Sequence, residues 1–293
     1  MLATTEHVLT TLPAAWQQLL QAHARHHDLS RLPASLIEQL QSVSGLTKQE
    51  LSLQLLPLAA SFAYAEISHF HVGAIAWGGS GAWYLGANME FRQQPLAQTI
   101  HAEQCAINHA WLCGETALEA ITINASPCGH CRQFMNETNS AKQLQIHLPG
   151  RAQSLQQLLP DAFGPADLGI VETLLQPQLH ALVAPPEGQP LLAAAWQAAS
   201  QSYAPYSHAY AGVALALQDG RVICGRYAEN AAFNPSLPPL QSALILLRMQ
   251  GLTPEAITRA ALYESAHGRL SHRVPTESLL QAYGLSTLEY LRQ

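Results

Sequence analysis

Two short segments concentrate the residue types that bind borderline-soft metal ions: His101-Ala102-Glu103 and Pro127-Cys128-Gly129-His130-Cys131. Two thiolates at C-x-x-C spacing plus one imidazole supply three ligands that suit Zn²⁺, and they leave a fourth position open to water. The expected metal set is therefore His101, Cys128 and Cys131, with one zinc per chain. Glu103 follows the histidine by two residues, so on a helix it points elsewhere. That makes it a poor fourth ligand, yet it stays near enough to carry protons beside the ion. Cys128 is expected to open a helix, where the N-terminal dipole favours the thiolate. His101 is expected in the first turn of the preceding helix, so two helix N-termini would converge on one site.

Other chemistries fit parts of this pattern. A purely structural zinc would need a fourth protein ligand, for which Cys105, His109 and His130 are candidates. Cys-Gly-His-Cys is also a thiol-redox motif, but such proteins usually carry Trp before the first cysteine, where this chain has Pro127. They also have no need of an upstream His-x-Glu. A second histidine group, His23, His26 and His27, has only Asp28 as a nearby carboxylate. These three, with His69, His71 and His147, read as solvated or ordinary packing residues.

The elements that must position these side chains occur twice. At a constant offset of 139, Ala63-Tyr64-Ala65 matches Ser202-Tyr203-Ala204 and Ser68-His69 matches Ser207-His208. Gly73, Gly86 and Glu90 likewise match Gly212, Gly225 and Glu229. Each copy reads as a helix (51–65; 190–204, with Pro57 a kink or boundary in the first) and a hairpin. The hairpin strands are 72–77 and 82–86 around Gly78-Gly79-Ser80-Gly81, and 211–217 and 221–225 around Asp219-Gly220. Helices follow at 100–113 and 239–249. A strand at 119–124, a short helix from Cys128 and a strand at 144–148 complete the first copy. The order implies an α/β layered domain with a mixed sheet. The expected divisions are a helical segment 1–47, a catalytic domain 48–167, a connector 168–185 and a degenerate domain 186–293. At the constant offset His101, Glu103, Cys128 and Cys131 fall on Leu240, Ser242, His267 and Leu270, so the second copy is expected to be catalytically silent.

Composition narrows the partners. The 293 residues are 48% hydrophobic and 12% charged, with a net charge of −6 and only two lysines, Lys48 and Lys142. A nucleic-acid binder needs a basic footprint, which this chain lacks. No apolar run reaches the roughly 20 residues of a spanning helix, and the first residues lack the basic and apolar regions of a signal peptide. Five cysteines, an odd number, fit a reducing cytoplasm better than a disulfide framework.

H-x-E…P-C-x-x-C is the signature of zinc nucleobase deaminases. Together with Phe70-His71-Val72-Gly73 and Gly86-Ala87-Asn88-Met89-Glu90-Phe91, it makes the chain from about residue 48 onward resemble the two-copy, homodimeric cytidine deaminases of enterobacterial type. The resemblance implies a duplicated three-layer α/β/α fold and hydrolytic deamination of cytidine and 2′-deoxycytidine in pyrimidine salvage. By the same resemblance Glu103 shuttles protons, Asn88 and Glu90 bind ribose hydroxyls, Phe70 stacks on the base, and backbone groups of Ala102 and Ser126 read its polar edge. Glu229-Asn230-Ala231-Ala232-Phe233 resembles the segment with which single-copy relatives reach into an adjacent pocket, which brings Ala231 and Phe233 into the expected site. Phe163, just past the first copy, is a second candidate for covering the base. The fold also serves nucleotides and nucleic acids, but a carboxylate at Glu90 would repel a phosphate there. Ala125 departs from the family pattern, since relatives can carry a larger side chain such as Tyr at that position.

Overall fold

The computed structural model describes residues 2–293. The chain forms two compact units. The first holds the chain up to Glu90, Thr99–Ala162 and Arg248–Leu252; the second holds Phe91–Gln98, Phe163–Leu247 and Thr253–Gln293.

The first unit opens with helices α1 (Ala3–Thr11) and α2 (Ala14–Ala24), a two-residue strand β1 (Arg31–Leu32) and α3 (Ala34–Ser44). Then come α4 (Lys48–Ala60), β2 (Gly73–Gly78), β3 (Trp83–Ala87), α5 (Ala102–Leu112), β4 (Leu118–Ile123) and α6 (Gly129–Asn136). Strands β5 (Gln145–Leu148) and β6 (Arg151–Ser154) and the single turn α7 (Leu155–Leu158) follow. The six strands form one sheet in the order β1-β3-β2-β4-β5-β6, with only β4 and β5 parallel. The helical N-terminal segment thus contributes the edge strand next to β3, which its sequence does not announce because two residues carry no periodicity.

Two glycines set the layers. A Cβ at Gly73 would overlap Leu56 O and Ala60 N of α4, and one at Gly86 would overlap Ala102 O and Ala106 N of α5. Gly86 pairs with Ala74, the neighbour of Gly73, so the two glycines lie on opposite faces of the pleated sheet. Helices α4 and α5 therefore cover opposite faces. Every residue of β2 and β3 is buried, which explains why both strands read as apolar runs without alternation. Helix α4 begins in a reciprocal cap between Thr47 and Glu50 and continues through Pro57, which stands inside it. Its buried face, Leu51, Leu55, Leu56, Leu58 and Ala59, outweighs the bond that the proline removes.

The second unit repeats the plan with α8 (Pro190–Ala199), β7 (Ala211–Leu217), β8 (Val222–Arg226), α9 (Pro239–Met249), β9 (Ile257–Glu264), α10 (Arg273–Ala282) and β10 (Leu288–Arg292). Its sheet order is β10-β9-β7-β8, with β10 and β9 parallel. The repeat is visible in fine detail. His69 and His208 both take left-handed backbone, φ 55° and 56°. The pairing of β2 with β4 slips between Trp77 and Gly78, and that of β7 with β9 between Ala216 and Leu217.

One sequence expectation is corrected. The offset is not constant through the copy. Gly86 approaches Ala102 and Ala106, whereas Gly225 approaches Pro239 and Ala243, which is two residues short of the offset. The bridges Met89–Ile100 and Ala228–Leu237 show the same slip, and pairing returns to register at Ala74–Ile123 and Val213–Leu262. The second copy is thus two residues shorter in the loop before its central helix. His101 and Glu103 correspond to Pro238 and Leu240, not to Leu240 and Ser242.

Candidate active site

His101 is the N-cap of α5 and Cys128 the N-cap of α6, and neither side chain caps its helix. His101 thus stands one residue before the first turn where the sequence had placed it. Both side chains remain free to face each other: Cys128 Sγ lies 3.4 Å from His101 Nδ1 and 3.5 Å from Cys131 Sγ. The three ligand atoms lie within 4.8 Å of one another, and they are the one such group of three or more among the described residues. A tetrahedral zinc with Zn–S near 2.3 Å and Zn–N near 2.0–2.1 Å separates its ligand atoms by about 3.5–3.8 Å. The donor set therefore fits zinc in type, and both distances from Cys128 match its spacing. The Cys128 thiol is pulled down to about 3, first by its hydrogen bond to Cys131 and then by His101. The Cys131 thiol is pushed up by the same bond and by burial.

Among the described residues no side chain joins the three as a fourth ligand. Cys105 is fully buried within α5, and His109 Nδ1 bonds to the Leu85 carbonyl at 2.9 Å. The His130 ring stacks on that of His101, centroids 4.7 Å apart at 20°. Glu103 is 4% exposed. Burial raises its carboxyl pKa, against hydrogen bonding from its own backbone and Cys131 and the charge of His101.

A cavity of about 240 Å³ opens over this group, lined by Phe70, Val72, Asn88, Thr99, His101, Ala102, Glu103, Ala125, Ser126 and Cys128. Phe70 is 60% exposed. Its strand of backbone is stapled by two asparagines. Asn88 accepts from Val72 N at 2.9 Å and donates to Phe70 O at 2.9 Å; Asn124 accepts from Gly73 N at 3.1 Å and donates to His71 O at 3.2 Å. Glu90 is buried, and its carboxylate accepts from Ile67 N, Ser68 N and the Ser68 hydroxyl. Burial works to raise its pKa, but these three donors hold it below the ordinary range, so it stays ionised.

The structure brings Phe70, Asn88, Ala102, Glu103 and Ser126 to one cavity with His101 and Cys128, while Glu90 sits behind Ser68. Phe163, Ala231 and Phe233 belong to the second unit. Ala231 is buried there, and Phe163 and Phe233 are exposed. Phe233 takes left-handed backbone at φ 62°. Sequence reasoning missed Thr99 and Asn124, and gave Val72, inside the Phe70-His71-Val72-Gly73 segment, no role of its own. Thr99 stands two residues before the His-x-Glu segment and Asn124 four before Cys128, so proximity to a motif was the one available signal. Ser68 was visible as a repeat match but carried no role.

The second copy has filled the corresponding place. Pro238 and Leu240 stand where His101 and Glu103 do. His272, and not the His267 of a constant offset, caps α10 as Cys128 caps α6, so the pairing of Cys128 and Cys131 with His267 and Leu270 is also corrected. His272 is buried with its ring 4.2 Å from that of Tyr227, the residue at the place of Asn88. Burial pushes the His272 pKa down to about 4.

Known proteins agree with this plan. The family described as cytidine and deoxycytidylate deaminase zinc-binding region matches twice, over residues 46–147 and 155–277. A cytidine deaminase of Photorhabdus laumondii is 53% identical over 281 residues, covering 95% of each chain. One from Klebsiella pneumoniae is 53% identical over 283 residues, covering 96% of each. A crystal structure of cytidine deaminase from Mycobacterium tuberculosis is 31% identical, covering 41% of this chain and 99% of that one, with a TM-score of 0.38. With a relative above half identity along nearly its whole length and the zinc-binding region present twice, this chain belongs to the cytidine and deoxycytidylate deaminase family.

Proposed function

We propose that this protein hydrolytically deaminates cytidine and 2′-deoxycytidine to uridine and 2′-deoxyuridine with release of ammonia, as a cytoplasmic, homodimeric enzyme of pyrimidine salvage. The observation that carries this reading is the buried Glu103 beside a His101, Cys128 and Cys131 ligand set on the floor of a nucleoside-sized cavity. Zinc held by those three residues supplies a Lewis acid that lowers the pKa of water towards about 7. Glu103 does the proton work. It takes one proton from the attacking water and delivers it to N3 of the cytosine, then takes the second and delivers it to the C4 amine. Water's oxygen replaces the amine nitrogen at C4, and ammonia leaves. A carboxyl whose pKa is raised by burial can both accept and give up a proton near working pH.

Phe70 stacks on the base and the backbone at Ala102 and Ser126 reads its polar edge. Asn88 and Glu90 meet the ribose, Glu90 with lone pairs left after its three donors. Phe163, Ala231 and Phe233 close a site, and the left-handed, exposed Phe233 supports this: a non-glycine residue keeps such backbone where surrounding structure or function holds it there. We assign 1–47 as a helical segment, 48–167 as catalytic, 168–185 as connector and 186–293 as non-catalytic. Five free thiols, two of them metal ligands, suit a reducing compartment.

A nucleotide or nucleic-acid substrate is the competing reading within the family. The ionised Glu90 argues against a phosphate near the sugar, and the net charge of −6 against a polyanion. Comparing kcat/KM for cytidine, deoxycytidine, deoxycytidylate and a cytosine-containing single strand decides. The nucleosides are expected to lead; a preference for deoxycytidylate or the strand would overturn this reading.

A further inference from the structure

Helix α9 ends in the first unit, to which Arg248–Leu252 belong. There the half-buried Arg248 holds the chain just past α4. Its Nε donates to Phe62 O at 2.7 Å and its Nη2 to Ala63 O at 3.0 Å. Its guanidinium also lies over the Tyr64 ring, 5.7 Å from the centroid. These carbonyls follow the last turn of a helix, where no further turn supplies N–H donors and the dipole favours a cation. A forked guanidinium suits two neighbouring acceptors better than a single amine does.

We propose that Arg248 is a positioning residue for the nucleoside: through the Ala63–Tyr64 peptide it sets Asn88 and Glu90 against the ribose. That role rests on the reading above, in which those two residues meet the sugar. Ala63 O and Tyr64 N belong to one peptide group, which is planar and rigid. Its oxygen accepts from Arg248, and its N–H donates to Asn88 O at 2.9 Å. On the far side of Tyr64, the Tyr64 carbonyl accepts from Glu90 N at 2.7 Å. A shift of the Ala63 oxygen therefore moves the backbone that pairs with both ribose residues. The chain that leaves Tyr64 gives the Glu90 carboxylate its donors at Ile67 and Ser68, and it reaches Phe70 on the cavity wall. Asn88 and Asn124 fasten the Phe70 end of this segment, and Arg248 fastens the other. The second copy marks the same point as one that needs a donor. Ser202, the match of Ala63, accepts at its carbonyl from His180 Nε2 at 2.9 Å. Tyr203 N then donates to Tyr227 O at 2.9 Å, and Tyr203 O accepts from Glu229 N at 2.8 Å. His180 thus holds in the second copy the peptide that Arg248 holds in the first.

The test is steady-state kinetics of the full-length, zinc-loaded parent, Arg248→Met and Arg248→Gln with cytidine, and with 2′,3′-dideoxycytidine as competitor. Methionine keeps the aliphatic stem and loses every donor; glutamine keeps one neutral donor group. Arg248→Met should raise KM for cytidine roughly threefold or more, with kcat nearly unchanged and zinc content equal to the parent's. Ki for the dideoxynucleoside, which has no hydroxyl at C2′ or C3′, should move less, so the preference for cytidine shrinks. Arg248→Gln should fall between Arg248→Met and the parent. A merely structural role would lower Tm and leave KM and that preference where they were. Parental KM and preference in Arg248→Met, or equal weakening of both nucleosides, overturns the proposal. If Arg248→Met does not hold its zinc, Arg248→Gln decides in the same way, and parental values there overturn it. Failure of the deaminase reading would instead appear in the parent, which would release no ammonia from cytidine.

Discussion

Glu90 and Glu229 hold the same three donors, one in each copy of the repeat. Glu90 Oε2 accepts from Ile67 N at 2.7 Å and Ser68 N at 3.1 Å; Glu229 Oε2 accepts from Tyr206 N at 2.8 Å and Ser207 N at 3.1 Å. The hydroxyls of Ser68 and Ser207 take the other carboxylate oxygens. The device persists where the zinc ligands are gone, so part of its task is to hold the loop that follows the first helix of each copy. Removing a buried acceptor strands its donors at a cost of about 1–3 kcal/mol. Glu229→Ala should therefore lower Tm by roughly 2–4 °C or more without loss of tightly held zinc. A melting curve identical to the parent's would contradict this.

Acid should destabilise the fold through its buried histidines. Burial pushes His109 and His272 down to about 4 from an ordinary 6.5. A group with a depressed folded pKa stabilises fully above its unfolded pKa and loses that contribution as pH falls towards the folded one. Stability should decline between pH 6.5 and 4, by up to about 3 kcal/mol for each group. Denaturant titrations across this window should show a shallower decline in His272→Gln than in the parent; parallel slopes would exclude His272 as a source.

Phe233 tests the working role of the second copy. Phe233→Ala should raise KM for cytidine several-fold and leave zinc content unchanged. Sedimentation should give about twice the 31.7 kDa of one chain for parent and variant. An unchanged KM would confine Phe233 to its own unit.

Much of this architecture was legible because the decisive signals are local. The His-x-Glu and Cys-x-x-Cys spacings mark two helix starts, and both side chains stand at N-caps. The glycines of the repeat mark close helix–sheet approach. What was hidden depends on residues distant in sequence. β1 is too short to carry a pattern, and Asn124 acts through backbone some fifty residues away. The two-residue slip in the second copy lies in a loop, where length varies without disturbing the strands on either side. Pro57 signalled a break that the buried face of α4 overrode.

Removing one ligand should uncouple nothing, because three protein ligands are few enough that each is needed. Cys128→Ala is expected to lose tightly held zinc and deamination together, by elemental analysis after gel filtration and by loss of cytidine absorbance. A variant that kept a full equivalent and its rate would remove Cys128 from the metal set.

Deamination depends above all on Glu103 as the proton carrier. The direct measurement is ammonia release from cytidine by the zinc-loaded parent and Glu103→Gln, each with its tightly held zinc counted. The parent should form uridine and ammonia in equal amounts, and the variant should keep its zinc while losing about 10²–10⁴-fold or more in turnover. An ordinary rate per bound zinc in Glu103→Gln, or a zinc-loaded parent that releases no ammonia, would contradict it.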